Sequence, residues 1–321
     1  MDFRLGDIVR AQHRLRPHLQ PTALEAAPNL GGNVWLKLEN CNRTHSFKIR
    51  GALNAILSLP AEARDRGIVA ASSGNHAAAV AYAAQLTGAS ARILMPRTTP
   101  QKKVKNVQRF GAEAILYGDN YDEAESEALR RAAQGGVWIS PYNDAAVIAG
   151  AGAIGLEIVE QLPQVERVVV PVSGGGLIAG IAAAVKQLNP AIEVVGVNAK
   201  SAPAMYNVFH EAARPQVWDT LADALSGDIE AGSITVPICR RYVDDIVLVT
   251  EAEIAAAMRY MLEVAGWVVE GGGAVAVAAL QHGVVPADGR ATALVASGGN
   301  VDLAVLRSAV FDQSKGDATD A

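Results

Sequence analysis

Short apolar runs alternate with stretches of helical spacing along almost the whole chain. The runs are Val34–Leu38, Ile68–Ala71, Ala91–Met95, Ala114–Tyr117, Val137–Ile139, Val168–Val172, Val194–Val197, Ile246–Thr250, Trp267–Val269 and Ala291–Ala296. Apolar positions recur at helical spacing over Phe47–Ser58, His76–Thr87, Pro100–Phe110, Tyr121–Ala133, Ile154–Gln161, Leu177–Gln187, Glu251–Ala265 and Ala274–Gln281. Strand–helix alternation of this kind predicts an α/β fold of parallel sheets with helices on both faces. Ligands of such sheets bind beyond the carboxyl ends of strands. The residues that follow each apolar run therefore carry the functional information. The polar residues from Gln313 onward are expected to fray.

Composition narrows the picture. With 321 residues, half of them hydrophobic and 19% charged, the chain is globular and long enough for two domains. A net charge of −5, no basic stripe and 5% aromatics argue against a nucleic-acid partner. Cys41 and Cys239 form neither a disulfide framework nor a zinc spacing. No apolar window suffices to cross a bilayer, and Met1–Arg16 has no signal core. A cytoplasmic protein without membrane contact is expected.

Several strand ends are unusual. Val168–Val172 leads into Ser173-Gly174-Gly175-Gly176-Leu177. Consecutive glycines at a helix start let N–H groups surround an anion, and phosphate is the natural guest; a plain tight turn would need fewer glycines. Ser72-Ser73-Gly74-Asn75-His76 follows Ile68–Ala71, and serves either as an N-cap or as a seat for a carboxylate. Ser297-Gly298-Gly299-Asn300 follows Ala291–Ala296, and Glu270-Gly271-Gly272-Gly273 follows Trp267–Val269. Glu270, emerging from an apolar run, is expected to be paired or raised in pKa. Gly150–Gly155 matches a dinucleotide fingerprint by letter but lacks the acid some 20 residues on, so close helix packing is the preferred reading. Lys48 falls in the first turn of a helix that Ser46 is placed to cap. The positive end of the helix dipole disfavours a cation there. The amine is either swung out to solvent or kept neutral and nucleophilic.

Taken together, these motifs resemble the fold-type II pyridoxal-phosphate enzymes, in particular the serine/threonine dehydratase and serine racemase group. Ser46-Phe47-Lys48-Ile49-Arg50-Gly51-Ala52 is similar to the cofactor-lysine motif of that group. Ser72–His76 is similar to its substrate-carboxylate loop, and Ser173–Leu177 to its phosphate loop, with Ser in place of the usual first Gly. Val243-Asp244-Asp245-Ile246, Val269-Glu270 and Ser297–Leu303 recur there too. Four places depart from the pattern. His45 stands where Gly is usual, Gly271 replaces Pro and Ala151 replaces Gln. The segment Asn198–Ala204 holds none of the acids that bind a cation in many relatives, so no metal is expected there.

The resemblance implies a tryptophan-synthase-β-like fold of two open, twisted, mostly parallel sheets flanked by helices. A large discontinuous domain (1–66 and 143–321) would bind the cofactor, and a small mobile domain (67–142) would close on it. No regulatory domain is expected after Ala321. The cofactor is pyridoxal 5'-phosphate, with Lys48 as Schiff-base lysine and α-proton base. Phe47, Asn75, Ser173, Gly174, Gly175, Gly176, Leu177, Glu270, Ser297 and Asn300 would line the cofactor. Asn75 would meet its ring hydroxyl and Ser297 its pyridine nitrogen. The substrate would sit on Ser72, Ser73, Gly74, Asn75 and His76. The implied reaction is β-elimination from a 3-hydroxy amino acid such as L-threonine or L-serine, giving a 2-oxo acid and ammonia. Racemisation, with Ser73 as the opposed base to Lys48, is the alternative, and a non-catalytic binding protein is the reading from another class. A homodimer is expected.

Overall fold

The computed structural model describes residues 3–311. The expected frayed segment from Gln313 onward lies outside them. Ten strands are β1 (Leu24–Ala26), β2 (Val34–Leu38), β3 (Ile68–Ala71), β4 (Ala91–Met95), β5 (Glu113–Leu116), β6 (Val137–Trp138), β7 (Arg167–Pro171), β8 (Glu193–Ala199), β9 (Asp245–Val249) and β10 (Thr292–Ala296). The helices are α1 (Leu5–Leu15), α2 (Lys48–Ser58), α3 (Ala61–Asp65), α4 (Asn75–Thr87), α5 (Gln101–Gln108), α6 (Tyr121–Ala133), α7 (Ala145–Gln161), α8 (Gly176–Leu188), α9 (Ala204–His210), α10 (Thr235–Tyr242), α11 (Glu251–Glu263), α12 (Gly271–Gln281) and α13 (Leu303–Phe311).

The strands form two sheets. Six make the order β1-β2-β10-β7-β8-β9, parallel throughout except for β1. Four make the parallel order β5-β4-β3-β6. The α/β architecture of two mostly parallel sheets flanked by helices is the one expected. The central strands β3, β7 and β10 are buried along their whole length, as both-face coverage demands. Helix α2 packs against α4 on the side of the smaller sheet and against α7 on the side of the larger one. It is the element on which both halves rest.

Close packing sets the seat of α2. A Cβ on Gly150 would run into the Arg50 carbonyl, and one on Gly51 would come within 2.8 Å of Val147. On α7, a Cβ on Gly152 would come within 2.9 Å of the Gly180 carbonyl, and one on Gly155 within 2.9 Å of the Ile181 carbonyl. The glycines of the Gly150–Gly155 stretch are thus inside α7, at helix crossings, and bind no nucleotide turn.

Three local expectations are corrected. Trp267–Val269 is not a strand: the Trp267 N–H turns back to the Met261 carbonyl, and the segment is a connection into α12. Helix α7 begins at Ala145 rather than Ile154, because Asp144 caps it, accepting from the N–H groups of Ala146 and Val147. Ser46 does not cap α2. Phe47 holds the N-cap position, while Ser46 is tied by a backbone bridge to Gly298 and its buried hydroxyl has no protein partner.

Candidate active site

The carboxyl ends of both sheets face α2 at its first turn. Phe47 donates its N–H to the Ser297 carbonyl at 3.0 Å, and Gly299 donates to the His45 carbonyl at 2.9 Å. The start of α2 is thereby fastened to the turn after β10. His45 takes a left-handed conformation, φ +55°, to make that turn, which is the conformation that glycine adopts freely. Lys48, half-buried, donates from Nζ to the Pro141 carbonyl at 2.8 Å, and among the described residues no carboxylate pairs with it. Burial brings its amine down to about 8, with Glu270 partly holding it up.

Glu270 occupies the N-cap position of α12 without a side-chain capping bond, and is 6% exposed. Burial raises its carboxyl to about 7; Asp223 adds to the rise, and the Asn75 amide and Lys103 oppose it. Asn75 Nδ2 donates to Glu270 Oε1 at 2.6 Å. Asn300 Nδ2 donates to Asn75 Oδ1 at 2.6 Å and to the Thr44 carbonyl at 2.8 Å. The orientation of the Asn75 amide is therefore fixed from both ends. Gly298 lies so close to this chain that a Cβ would strike Glu270 Oε1. His76 is buried and bonded through Nε2 to the Ile139 carbonyl at 2.9 Å, so Nε2 carries the hydrogen. Burial, then the Lys48 charge, pulls its pKa down to about 3, and the ring stays neutral. Ser297 is buried with only a 3.5 Å contact from Oγ to the Gly272 carbonyl. Ser72 Oγ accepts from the Gly74 N–H at 3.1 Å. Ser73 is half-buried, and no hydrogen bond engages its hydroxyl.

The glycine loop completes the group. Gly175 is left-handed, φ +89°, and α8 starts at Gly176 without a side-chain cap. Among the described residues, no protein acceptor takes the N–H groups of Gly174, Gly175, Gly176 or Leu177. Four orphan donors at the positive end of a helix make a seat for a dianion. Tyr142 packs on the loop, 2.6 Å from a Cβ on Gly174 and 2.9 Å from one on Gly176. Thr235 Oγ1 donates to the Gly174 carbonyl at 2.7 Å. Pro141 and Tyr142 escaped the sequence reading. Their signal was available, for they follow β6 at its carboxyl end as the other loops follow their strands. Among the described residues no cluster of three His, Cys, Asp or Glu side chains could hold a metal ion.

A family profile described as "Pyridoxal-phosphate dependent enzyme" matches residues 15–298. The chain belongs to the pyridoxal-phosphate-dependent enzymes. It is 46% identical over 309 residues to L-threonine ammonia-lyase of Thermotoga maritima, covering 94% of this chain and 77% of that one. It is 40% identical over 310 residues to catabolic L-threonine dehydratase of Escherichia coli K12, covering 93% of each. Maize serine racemase superposes with a TM-score of 0.89 at 33% identity, over 97% of this chain and 98% of that one. The processed threonine deaminase isoform 2 of Solanum lycopersicum superposes at 0.88 with 36% identity, over 95% and 86%. The cofactor is pyridoxal phosphate, and the residues present fit it. The orphan donors of Gly174–Leu177 suit its phosphate dianion, and the uncommitted Ser297 hydroxyl suits a neutral ring nitrogen.

Proposed function

We propose that this pyridoxal-phosphate enzyme is an ammonia-lyase, converting a 3-hydroxy amino acid such as L-threonine or L-serine to a 2-oxo acid and ammonia. The observation that carries the reading is Lys48: an amine brought down to about 8, paired with no acid, at the point where both sheets end. The relatives named for threonine deamination, at 40–46% identity, support it.

Lys48 would hold the cofactor's aldehyde, Gly174–Leu177 its phosphate, Asn75 its ring hydroxyl and Ser297 its ring nitrogen. Phe47, Glu270 and Asn300 would line it. When bound, the cofactor supplies an electron sink for Cα, and a hydroxyl at its nitrogen favours departure of the β-substituent over a long-lived carbanion. The substrate carboxylate would meet the free N–H groups at the start of α4, among Ser72–His76. Lys48, as a free and neutral amine, would take the α-proton as the base, a state its burial and the helix dipole both favour. The 3-hydroxyl would leave as water, the proton it takes up balancing the one that Lys48 removes, and the released enamine would hydrolyse to the 2-oxo acid and ammonia. His76 stays uncharged throughout and positions the loop through Ile139.

The four-stranded unit, 67–142, would move toward the larger sheet as substrate docks and exclude water. The enzyme would act as a cytoplasmic homodimer, which sedimentation at working concentration tests. Racemisation has one observation in its favour, the uncommitted hydroxyl of Ser73. Chiral analysis of product from L-serine decides between them: 2-oxo acid should form faster than D-serine. A Lys48→Ala protein that kept full lyase turnover would overturn the reading.

A further inference from the structure

At the opposite end of the smaller sheet from Ser72–His76, four arginines line one open cavity of about 540 Å³. Arg66 precedes β3, Arg92 is the second residue of β4, and Arg130 and Arg131 end α6. Gln134, Gly135 and Gly136, leading into β6, complete the wall. Strands of four residues put this cavity roughly 13 Å behind the carboxyl ends of β3 and its neighbours.

Two of the arginines have an ordinary explanation. The negative end of the α6 dipole favours cations in the last turn, and Glu127 grips Arg130 at 2.6 Å and Arg131 at 2.7 Å. That explanation does not reach Arg66 and Arg92. They come from different elements, and neither has a carboxylate within 4 Å among the described residues. Glu113, the register partner of Arg92 on β5, makes no ion pair with it. Four guanidiniums with only Glu127 ion-paired to them among the described residues repel one another, in a protein whose net charge is −5. The cavity they enclose is left open by Gly135, whose φ of +119° requires glycine and beside which a Cβ would meet nothing within 4 Å.

We propose that this cavity is a second ligand site, distinct from the cofactor site, for a phosphate-bearing small molecule. Forked guanidinium donors match phosphate oxygens in pairs, and several together favour a dianion over a monocarboxylate. The volume exceeds that of a single phosphate and leaves room for an organic remainder. The proposal does not depend on the lyase reading.

The test uses cofactor-loaded protein, so that the Gly174–Leu177 loop is already filled. Inorganic phosphate, pyrophosphate and glycerol 3-phosphate are each titrated against chloride at matched ionic strength, reading the melting midpoint and heat of binding. At least one of the three should raise the midpoint in a saturable way that chloride does not. Arg92→Gln should weaken that binding at least tenfold. Arg66→Gln, at an exposed position, should do the same without affecting the fold. Tighter binding of the ester than of phosphate would assign an organic ligand, and equal binding would assign free phosphate. A response no greater than that of chloride, or equal responses from parent and both variants, would overturn the proposal.

Discussion

Arg50 and Lys48 are two residues apart on α2, and both are cations brought out of water, yet their surroundings are opposite. Arg50 faces a closed ionic cluster. Its guanidinium donates to both oxygens of Glu39, at 2.7 and 2.9 Å, and to both of Glu157, at 2.6 and 2.8 Å. Lys37 completes the set, donating to Glu157 at 2.6 Å, to the Thr22 carbonyl and to Gln161. Two cations meet two anions with their hydrogen-bonding capacity filled. Burial would raise Glu39, but Arg50, with help from Lys37 and Thr22, more than offsets it and holds the carboxyl below its ordinary range. Lys48 has one carbonyl and no counter-ion. The same helix thus carries a face where charge is settled and a face where it is left unsettled. The settled face fixes the position of α2, and the unsettled one is free to exchange protons.

The sharpest test of this contrast is a pair of substitutions. Lys48→Ala should lose roughly 10³-fold or more in turnover, with a melting midpoint no lower than the parent's. Arg50→Met should cost about 3–5 kcal/mol in urea unfolding, because Glu39 and Glu157 are then buried against Lys37 alone. A stable Arg50→Met protein would break the comparison. Next in size is Gly150→Ala, whose methyl would strike the Arg50 carbonyl; a loss of about 1–3 kcal/mol is expected, with turnover falling as α2 shifts.

The two unsettled groups also give stability a pH signature. Glu270, raised to about 7 from 4.5, keeps its proton in the folded state where the unfolded chain has released it. Stability contributed by this group therefore falls as pH rises from about 4.5 to about 7. Lys48, lowered from 10.5 to about 8, acts in the other direction: its deficit is full below 8 and is recovered as pH rises toward 10.5. Glu270→Gln should flatten the first of these slopes in urea midpoints of cofactor-free protein, and an unchanged slope would show that Glu270 is not its source. The smallest effect belongs to His45→Gly. Relief of a left-handed histidine should stabilise by up to about 1 kcal/mol, partly offset by the freedom of glycine in the unfolded chain. The melting midpoint reads it.

The sequence disclosed this site through its strand ends. Each of Ser72, Ser173 and Ser297 begins its loop soon after an apolar run, and those loops lie where parallel sheets bind ligands. What it hid depended on tertiary partners. Gly150, Gly152 and Gly155 read as close-packing positions, but which helices they meet shows only once α2 and α8 lie across α7. Ser46 reads as a cap because a cap needs only local sequence, whereas its backbone is claimed by Gly298 from the other end of the chain. Lys37 and Glu157 sit at apolar positions of a strand and a helix. Either alone looks like an error of pattern, and only the fold shows that each excuses the other.

The fastening of Phe47 to Ser297 has a consequence for biosynthesis. The strands that deliver these residues, β2 and β10, are hydrogen-bonded neighbours in the sheet, yet roughly 250 residues separate them along the chain, on the order of 10–50 s at ribosomal speed. Until β10 emerges, the first turn of the lysine helix lacks the turn it is fastened to, although α4 and α7 are already available to the rest of the helix. Among the described strands, β10 is thus the last to be made and the one that completes the surroundings of Lys48.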